Sequence, residues 1–430
     1  MKKNSKMLLD VNDKPPIGKW LLLSLQHVFA MFGATVLVPI LVNQAAGEEV
    51  LSISVALIAS GIGTLIYIIC TRAKSPIYLG SSFAFISPMI VGFLKCGKAS
   101  VFTGLMGVGL VYVIVALIIK LVGKKWLNKL LPPIIVGPMI MIIGLGLASS
   151  AVSQVGLDLE VVPWKNLLIA TVAFLTTALL AIKAKGFFRV IPFLCGIVAG
   201  YVCAVILGEV DFGAVEAAKF LQKPAFYIPF VHYKLNFGAF LTIVPIALVT
   251  MAEHIGDHKV LSAIIDRDLI EDPGLDKTLM GDGLATMAAG FIGGPANTSY
   301  GENTSVVGMT KVASVWVTGL AAIFAIIFGF LGKLTALIST IPNPVLGGIS
   351  ILLYGFISVN GLKTLVDNHV DFSRPKNVIV ASSMLVLGLG GAAISLITKN
   401  ISVSLSGMSL AAVVGILLNL LIKEREDWKR

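Results

Sequence analysis

Charge is what this 430-residue sequence has least of: 13% of its residues are Asp, Glu, Lys or Arg, against 57% hydrophobic. So little polar surface cannot clothe a soluble domain, which leaves a multi-pass membrane protein. Cysteine is scarce too. Cys70, Cys96, Cys195 and Cys203 are dispersed with no CxxC pair, so they indicate neither a disulfide framework nor a thiolate metal site and read as packing residues. The short alternating segments of a transmembrane barrel are missing. No linker or low-complexity stretch marks off a separate soluble domain. No small-residue cleavage site follows the first apolar run, which therefore reads as a retained span rather than a signal peptide.

What the chain does have is continuous apolar runs rich in Leu, Ile, Val, Gly and Ala. The first half carries Trp20 to Val42, Leu51 to Cys70, Phe83 to Leu94, Val101 to Val122, Pro132 to Leu147, Leu167 to Ile182 and Val190 to Leu207. A polar connection, Gly208 to Asn236, leads to Phe240 to Met251, Gly283 to Ile292, Asn303 to Met309, Val315 to Leu331, Val345 to Ile357, Val378 to Leu389 and Leu405 to Leu421. The reading is an all-α polytopic protein of fourteen transmembrane segments. Seven per half is odd, so the second half is inverted in the membrane, giving a 7+7 inverted repeat with its site where the halves meet.

The formal net charge of +10 does not point to nucleic acid, because the basic residues sit in short clusters between apolar runs. Lys2, Lys3, Lys6, Lys14 and Lys19 precede the first span, whereas the turn Asn43 to Val50 has Glu48 and Glu49 and no basic residue. Arg72 and Lys74, then Lys124, Lys125 and Lys129, then Lys183, Lys185 and Arg189 recur at alternate connections. By the positive-inside rule both termini are cytoplasmic. Lys95, Lys98, Lys219, Lys223 and Lys234 fall on the opposite side, an exception that a statistical rule tolerates.

The third segment of each half is short and begins with small polar residues, Gly80-Ser81-Ser82-Phe83 and Thr298-Ser299-Tyr300-Gly301-Glu302. Corresponding interrupted segments mark the site of a transporter. The stretches before such half-helices are expected to be extended, with backbone groups that must pair within the protein or with substrate. Glu302 follows the second break, where a carboxylate at bilayer depth costs about 3 kcal/mol without compensation. A buried carboxyl group readily holds a proton. Glu253-His254-Ile255-Gly256-Asp257-His258 follows another apolar run. Glu253 and Asp257 share one helical face, and His254 and His258 the neighbouring one. The two histidines admit a zinc reading, but the hydrolase pattern wants Glu immediately after the first His, where Ile255 stands, and no third ligand is evident. Phe83, Tyr300 and Tyr354 near the breaks are placed to stack on a flat ligand. Carboxylates for N–H groups, backbone amides for carbonyl oxygens and rings on either side fit a planar amide-containing heterocycle.

Ser24 to Thr35, Tyr78 to Ile86, Ala252 to Gly256 and Thr298 to Asn303 closely resemble the bacterial uracil permeases of the nucleobase-ascorbate transporter family, over about Gly18 to Leu421. The resemblance implies a core domain carrying substrate (residues 1–125 and 236–338) and a gate domain (126–235 and 339–430). It implies proton-coupled uracil uptake by alternating access in the bacterial cytoplasmic membrane, no cofactor, no enzyme activity, and a homodimer among membrane lipid. Carried over by motif, Glu253 and Glu302 hydrogen-bond the base, backbone amides at Phe83 and Gly301 bind its carbonyl oxygens, and Tyr300 and Tyr354 pack around the ring. Glu302, Glu253 and Asp257 are the candidate proton-coupling residues. Asp257 stands where the family pattern has histidine and Ser305 where it has glycine, while Lys311 after Thr310 is of the uracil type. Xanthine, hypoxanthine or urate transport is the alternative within the family, and an intramembrane zinc hydrolase the alternative outside it.

Overall fold

The computed structural model describes residues 7–189, 191–398 and 401–422. Lys2, Lys3 and Lys6 of the basic flank, Val190 at the head of the seventh run, and the last eight residues of the expected gate domain lie outside the described residues. In chain order the first half comprises α1 (Ile17–Ala46), α2 (Ile53–Cys70), β1 (Leu79–Ser81), α3 (Ile86–Val122), α4 (Lys125–Leu130), α5 (Pro133–Leu145), α6 (Ala148–Val155), α7 (Trp164–Lys183) and α8 (Pro192–Ile206). After α9 (Gly213–Ala217) come α10 (Phe240–Ile243), α11 (Ile246–Ile265), α12 (Leu275–Ile292), β2 (Asn297–Ser299), α13 (Gly301–Thr310) and α14 (Val315–Gly329). The remainder is α15 (Gly332–Ser339), α16 (Asn343–Asp367), α17 (Pro375–Leu389), the hairpin β3 (Ala393–Thr398) and β4 (Ile401–Ser406), and α18 (Gly407–Leu421). Prolines head α5, α8, α16 and α17, where a missing N–H has no intrahelical acceptor to lose.

Among the described residues seven helices are long and apolar enough to cross a membrane, and four shorter apolar helices accompany them. One of the seven, Phe83 to Val122, is two segments. Gly97 has φ +77°, and a Cβ built on Gly92 would lie 2.8 Å from Val101 Cγ2. Nine residues of straight helix would separate those positions by about 13 Å; the chain therefore folds back at Gly97. Beyond that turn Leu110, Ile114, Leu117 and Leu121 form an exposed apolar stripe while Tyr112, Ala116 and Ile119 are buried. Such a face suits lipid and not water.

Two expected boundaries need correction. The run thought to end at Met251 continues as α11 to Ile265, so Glu253 and Asp257 sit within a helix rather than at its end. The run thought to begin at Gly283 begins at Leu275, which brings Asp282, 1% exposed, inside α12.

Helix pairing repeats between the halves. α3 packs on α12 as α14 packs on α2, α7 on α8 as α17 on α18, and α7 on α16 as α17 on α5, while α5 packs on α16. Glycines permit the closest approaches. A Cβ on Gly109 would stand 2.4 Å from the Gly283 carbonyl oxygen, one on Gly61 2.4 Å from that of Ala322, and one on Gly361 2.6 Å from that of Gly137. Small residues at such crossings are what membrane helices require, since apolar burial alone does not drive helix association in lipid. The connections at one end of the bundle are tied by Lys74–Asp272 (2.7 Å), Arg267–Asp10 (2.5 Å) and Lys124–Glu271. The hydrogen bond from Lys74 holds the Asp272 carboxyl below the usual carboxylate range, and being exposed the pair adds little stability.

Gly109→Val is expected to force α3 and α12 apart at a cost of roughly 1–3 kcal/mol. A lower melting temperature of the purified protein, with Gly18→Val, whose Cβ would meet nothing within 4 Å, changed far less, checks it.

Candidate functional site

The two broken segments meet. β1 and β2 pair antiparallel, with Leu79 opposite Ser299, Gly80 opposite Thr298 and Ser81 opposite Asn297. All six residues are buried. β1 runs through a 3-10 turn, Phe83–Phe85, into α3, and β2 runs through Tyr300 into α13. Each helix start leaves its first N–H groups without an intrahelical acceptor, so those of Phe83 and Gly301 face the crossing with the positive ends of two helix dipoles.

α2 holds the strand pair in place. Ser60 Oγ donates to the Leu79 carbonyl (2.7 Å), Thr64 Oγ1 accepts from the Leu79 N–H (2.9 Å), and Asn297 Nδ2 donates to the Ala59 carbonyl (3.0 Å). From α12, Thr286 Oγ1 donates to the Asn297 carbonyl (3.0 Å). Tyr300 belongs to this scaffold. Its hydroxyl donates to the Ser81 carbonyl (2.8 Å) and accepts from Thr35 (3.2 Å), and its ring lies where a Cβ on Gly80 would be.

Glu253 and Asp257 approach the break from α11. Ser299 Oγ donates to Asp257 Oδ2 (3.1 Å), and Asp257 Oδ1 is the nearest atom to a Cβ built on Gly301. Glu253, Asp257 and Glu302 are close enough for their charges to act on one another, with Asp282 behind them. Glu302 accepts its own backbone N–H at the start of α13 and lines a small cavity of about 20 Å³ with Phe193, Ile197, Ile349 and Leu353. Tyr354, next along α16, is buried. Phe83 lies at the other side of the crossing, in a cavity of about 370 Å³ shared with Lys95, Ile143, Thr242 and Met408. Asn303 Nδ2 donates to the His27 carbonyl (3.0 Å), tying α13 to α1.

Of thirteen buried side-chain polar atoms without a protein partner among the described residues, eight surround this crossing: those of Ser81, Ser82, Glu253, His254, Asp282, Asn297, Thr298 and Asn303. Buried polar atoms are ordinarily paired; a concentration of unpaired ones marks a place built for polar ligands. The histidines do not form a metal site. His254 Nδ1 is 2.8 Å from Asp282 Oδ2, His258 Nδ1 is 2.6 Å from the His254 carbonyl and His258 Nε2 is 2.5 Å from Tyr67 Oη, so three of their four ring nitrogens are turned onto protein groups. No group of three or more His, Cys, Asp or Glu arranged to hold a metal occurs among the described residues.

Residues 18–397 match the Permease family to which xanthine and uracil permeases give their name. The chain is 47% identical to the uracil permease of Bacillus caldolyticus, over 98% of this chain and 96% of that protein. It is 45% identical to the uracil permease of Bacillus subtilis strain 168 (98% and 97%) and 40% identical to that of Escherichia coli K12 (96% and 94%). The chain belongs to this permease family. It is a membrane transporter and not an enzyme, which sets aside the zinc hydrolase. Among solved structures the permease resembles the transmembrane domain of the cyanobacterium bicarbonate transporter BicA (TM-score 0.60, 14% identity, 96% of this chain and 99% of that one). It also resembles murine Slc26a9, an anion transporter, in the inward-facing state (TM-score 0.69, 12% identity, 95% and 69%). At such identities the likeness speaks for the fold.

Sequence reading of the permease passed over Asp282, Tyr67, Thr64 and Asn297. Asp282 carried the plainest signal, an acid flanked by Gly281 and Gly283 just ahead of an apolar run. The other three are ordinary polar residues whose role depends on partners far along the chain.

A Cβ on Gly63 would lie 2.2 Å from Asn297 Nδ2. Gly63→Ala is therefore expected to displace the β2 anchor and cut transport by tenfold or more, since about 1 Å of misplacement can cost two orders of magnitude. Initial uptake rates normalised to folded protein check it.

Proposed function

We propose that this permease takes up uracil with protons across the bacterial cytoplasmic membrane by alternating access. The observation that carries the reading is the meeting of a buried strand crossing rich in unpaired polar atoms with Asp257, which Ser299 of β2 holds, and with Glu253 and Glu302 near enough for their charges to act on it and on each other. Uracil offers two N–H donors and two carbonyl acceptors in one plane. Glu253 and Glu302 accept from its N–H groups, the amides of Phe83 and Gly301 donate to its carbonyl oxygens, and Tyr354 packs beside the ring. Tyr300 supports the ring's surroundings through β1. The names of the full-length relatives favour uracil over xanthine, hypoxanthine or urate.

Glu302 is the proton carrier in this reading and Asp257 its tuner, because a carboxylate beside another favours the protonated form of one of them. The proton on Glu302 removes one charge from the site, which lowers the cost of carrying it past an apolar boundary.

Packing supports the two-body description. α1, α2, α3, α12 and α14 pack on one another, as do α5, α7, α8, α16, α17 and α18, with α11 touching both groups. Residues 1–125 and 236–338 form the carrying core and 126–235 and 339–430 the gate, with Glu302 facing gate residues Phe193, Ile197, Ile349 and Leu353. Counting Phe83 to Val122 as two segments and adding α12 and α13 to the eleven apolar helices gives fourteen, both termini cytoplasmic. The permease works as a homodimer in this reading.

Radiolabelled uracil should accumulate in proteoliposomes only under an inward proton gradient and resist excess xanthine and hypoxanthine. Purine competition would move the substrate to a purine, and gradient-independent flux would remove the proton. Glu302→Gln is expected to lower gradient-driven accumulation about tenfold or more, a hydrogen bond to a charged group being worth about 1.5–3 kcal/mol. Full accumulation by that variant would refute the assignment of the proton to Glu302.

A further inference from the structure

The polar chain behind the site is not explained by transport chemistry at the carboxylates. His258 Nδ1 faces a carbonyl, which can only accept, so that nitrogen carries a hydrogen and donates to the His254 carbonyl (2.6 Å). In the neutral ring Nε2 is then an acceptor, and Tyr67 Oη stands 2.5 Å from it. Tyr67 Oη is in turn 2.9 Å from Ser75 Oγ, in the connection between α2 and β1. His254, one turn earlier, is held by Asp282 of α12, and the two imidazole rings lie 3.8 Å apart. Tyr67, His254 and His258 are fully buried.

The need for this chain follows from α11. Ile246, Ala247, Val249 and Ala252 are buried on every side of the helix start, whereas from His254 on the buried residues form one stripe, in which His254 and His258 are the polar members beside Leu261 and Ile265. Burial that is apolar all round does not select a rotation about the helix axis. The acids and the imidazoles occupy adjoining faces one residue, or about 100°, apart. A turn of that size in one sense would bring the imidazoles to the break and carry the acids past it, and in the other sense would turn the acids from the break towards α2.

We propose that Tyr67 and His258 are positioning residues for the substrate site: their hydrogen bonds fix the rotation of α11, so that Glu253 and Asp257 face the β2–α13 break. α2 thereby becomes the common reference for both parts of the site, since Ser60 and Thr64 hold β1 from one stretch of it and Tyr67 holds α11 from the next. The inference rests on the proposed base-binding role of Glu253.

Tyr67→Phe keeps the ring and removes one hydroxyl; His258→Leu removes the bond entirely; His258→Gln keeps a donor and an acceptor. Binding of tritiated uracil to purified protein is expected to weaken roughly tenfold in Tyr67→Phe and His258→Leu, a displacement of the acids being felt at that scale, and to recover largely in His258→Gln. Ser75→Ala, at the far end of the chain, should weaken it less. Melting temperatures without ligand separate the two roles: a structural contact lowers them and leaves the affinity unchanged, which would overturn the proposal. A base-independent readout is carbodiimide labelling of Glu253, followed by mass spectrometry. Altered labelling is expected in Tyr67→Phe and His258→Leu, and unaltered labelling in both would also overturn it. Should the parent protein bind a purine instead of uracil, the uracil reading fails while the same variants are read with that purine.

Discussion

An unpaired backbone amide or carbonyl at bilayer depth costs several kcal/mol, and this permease has two stretches where helices stop at that depth. Pairing β1 with β2 satisfies each break with the other. Three residue pairs are enough because side chains of α2 and α12 supply further bonds: Ser60 and Thr64 to Leu79, Asn297 to Ala59, Thr286 to Asn297. The crossing then leaves the starts of two helices beside it, where backbone N–H groups lack the intrahelical acceptors that a helix interior would supply.

A third helix brings charge to the crossing. α11 contributes Glu253 and Asp257, and Asp257 is joined to β2 through Ser299. Glu302 stands where the two packed groups of helices meet, beside Phe193 and Leu353. Acids at such a boundary are sensitive to how the two groups are arranged. The packing of α3 with α12 is matched by that of α14 with α2.

Much of this was legible in the chain. The breaks at Gly80–Phe83 and Thr298–Glu302 announced themselves because small polar residues interrupt runs that are otherwise apolar, and their extended conformation followed from hydrogen-bonding needs. Most of the fourteen runs fall on a helix or a helical arm. The extents of α11 and α12 were misjudged for one reason: a run of apolar residues was taken to stop at its first acid, whereas buried acids stay helical when neighbours such as Ser299 and His254 receive them. Tyr300 read as a ring for the ligand because aromatic residues beside a break can stack; its hydroxyl contacts with Ser81 and Thr35 depend on a strand pairing that no local pattern encodes.

The strand crossing also constrains how the protein is made. Tyr300 and Ser81 are separated by 219 positions, and β1 finds β2 only after synthesis has passed Ser299, well into the second half. The N-terminal residues wait longer still, since Leu9 bridges to Val312 and Val11 accepts the Val315 N–H. The first half therefore enters the lipid with an open strand and an unclosed end. Its topology is set early by charge and apolar length, whereas its centre is completed late, in a step governed by contacts distant in sequence. Insertion and assembly of this permease are separate events in time.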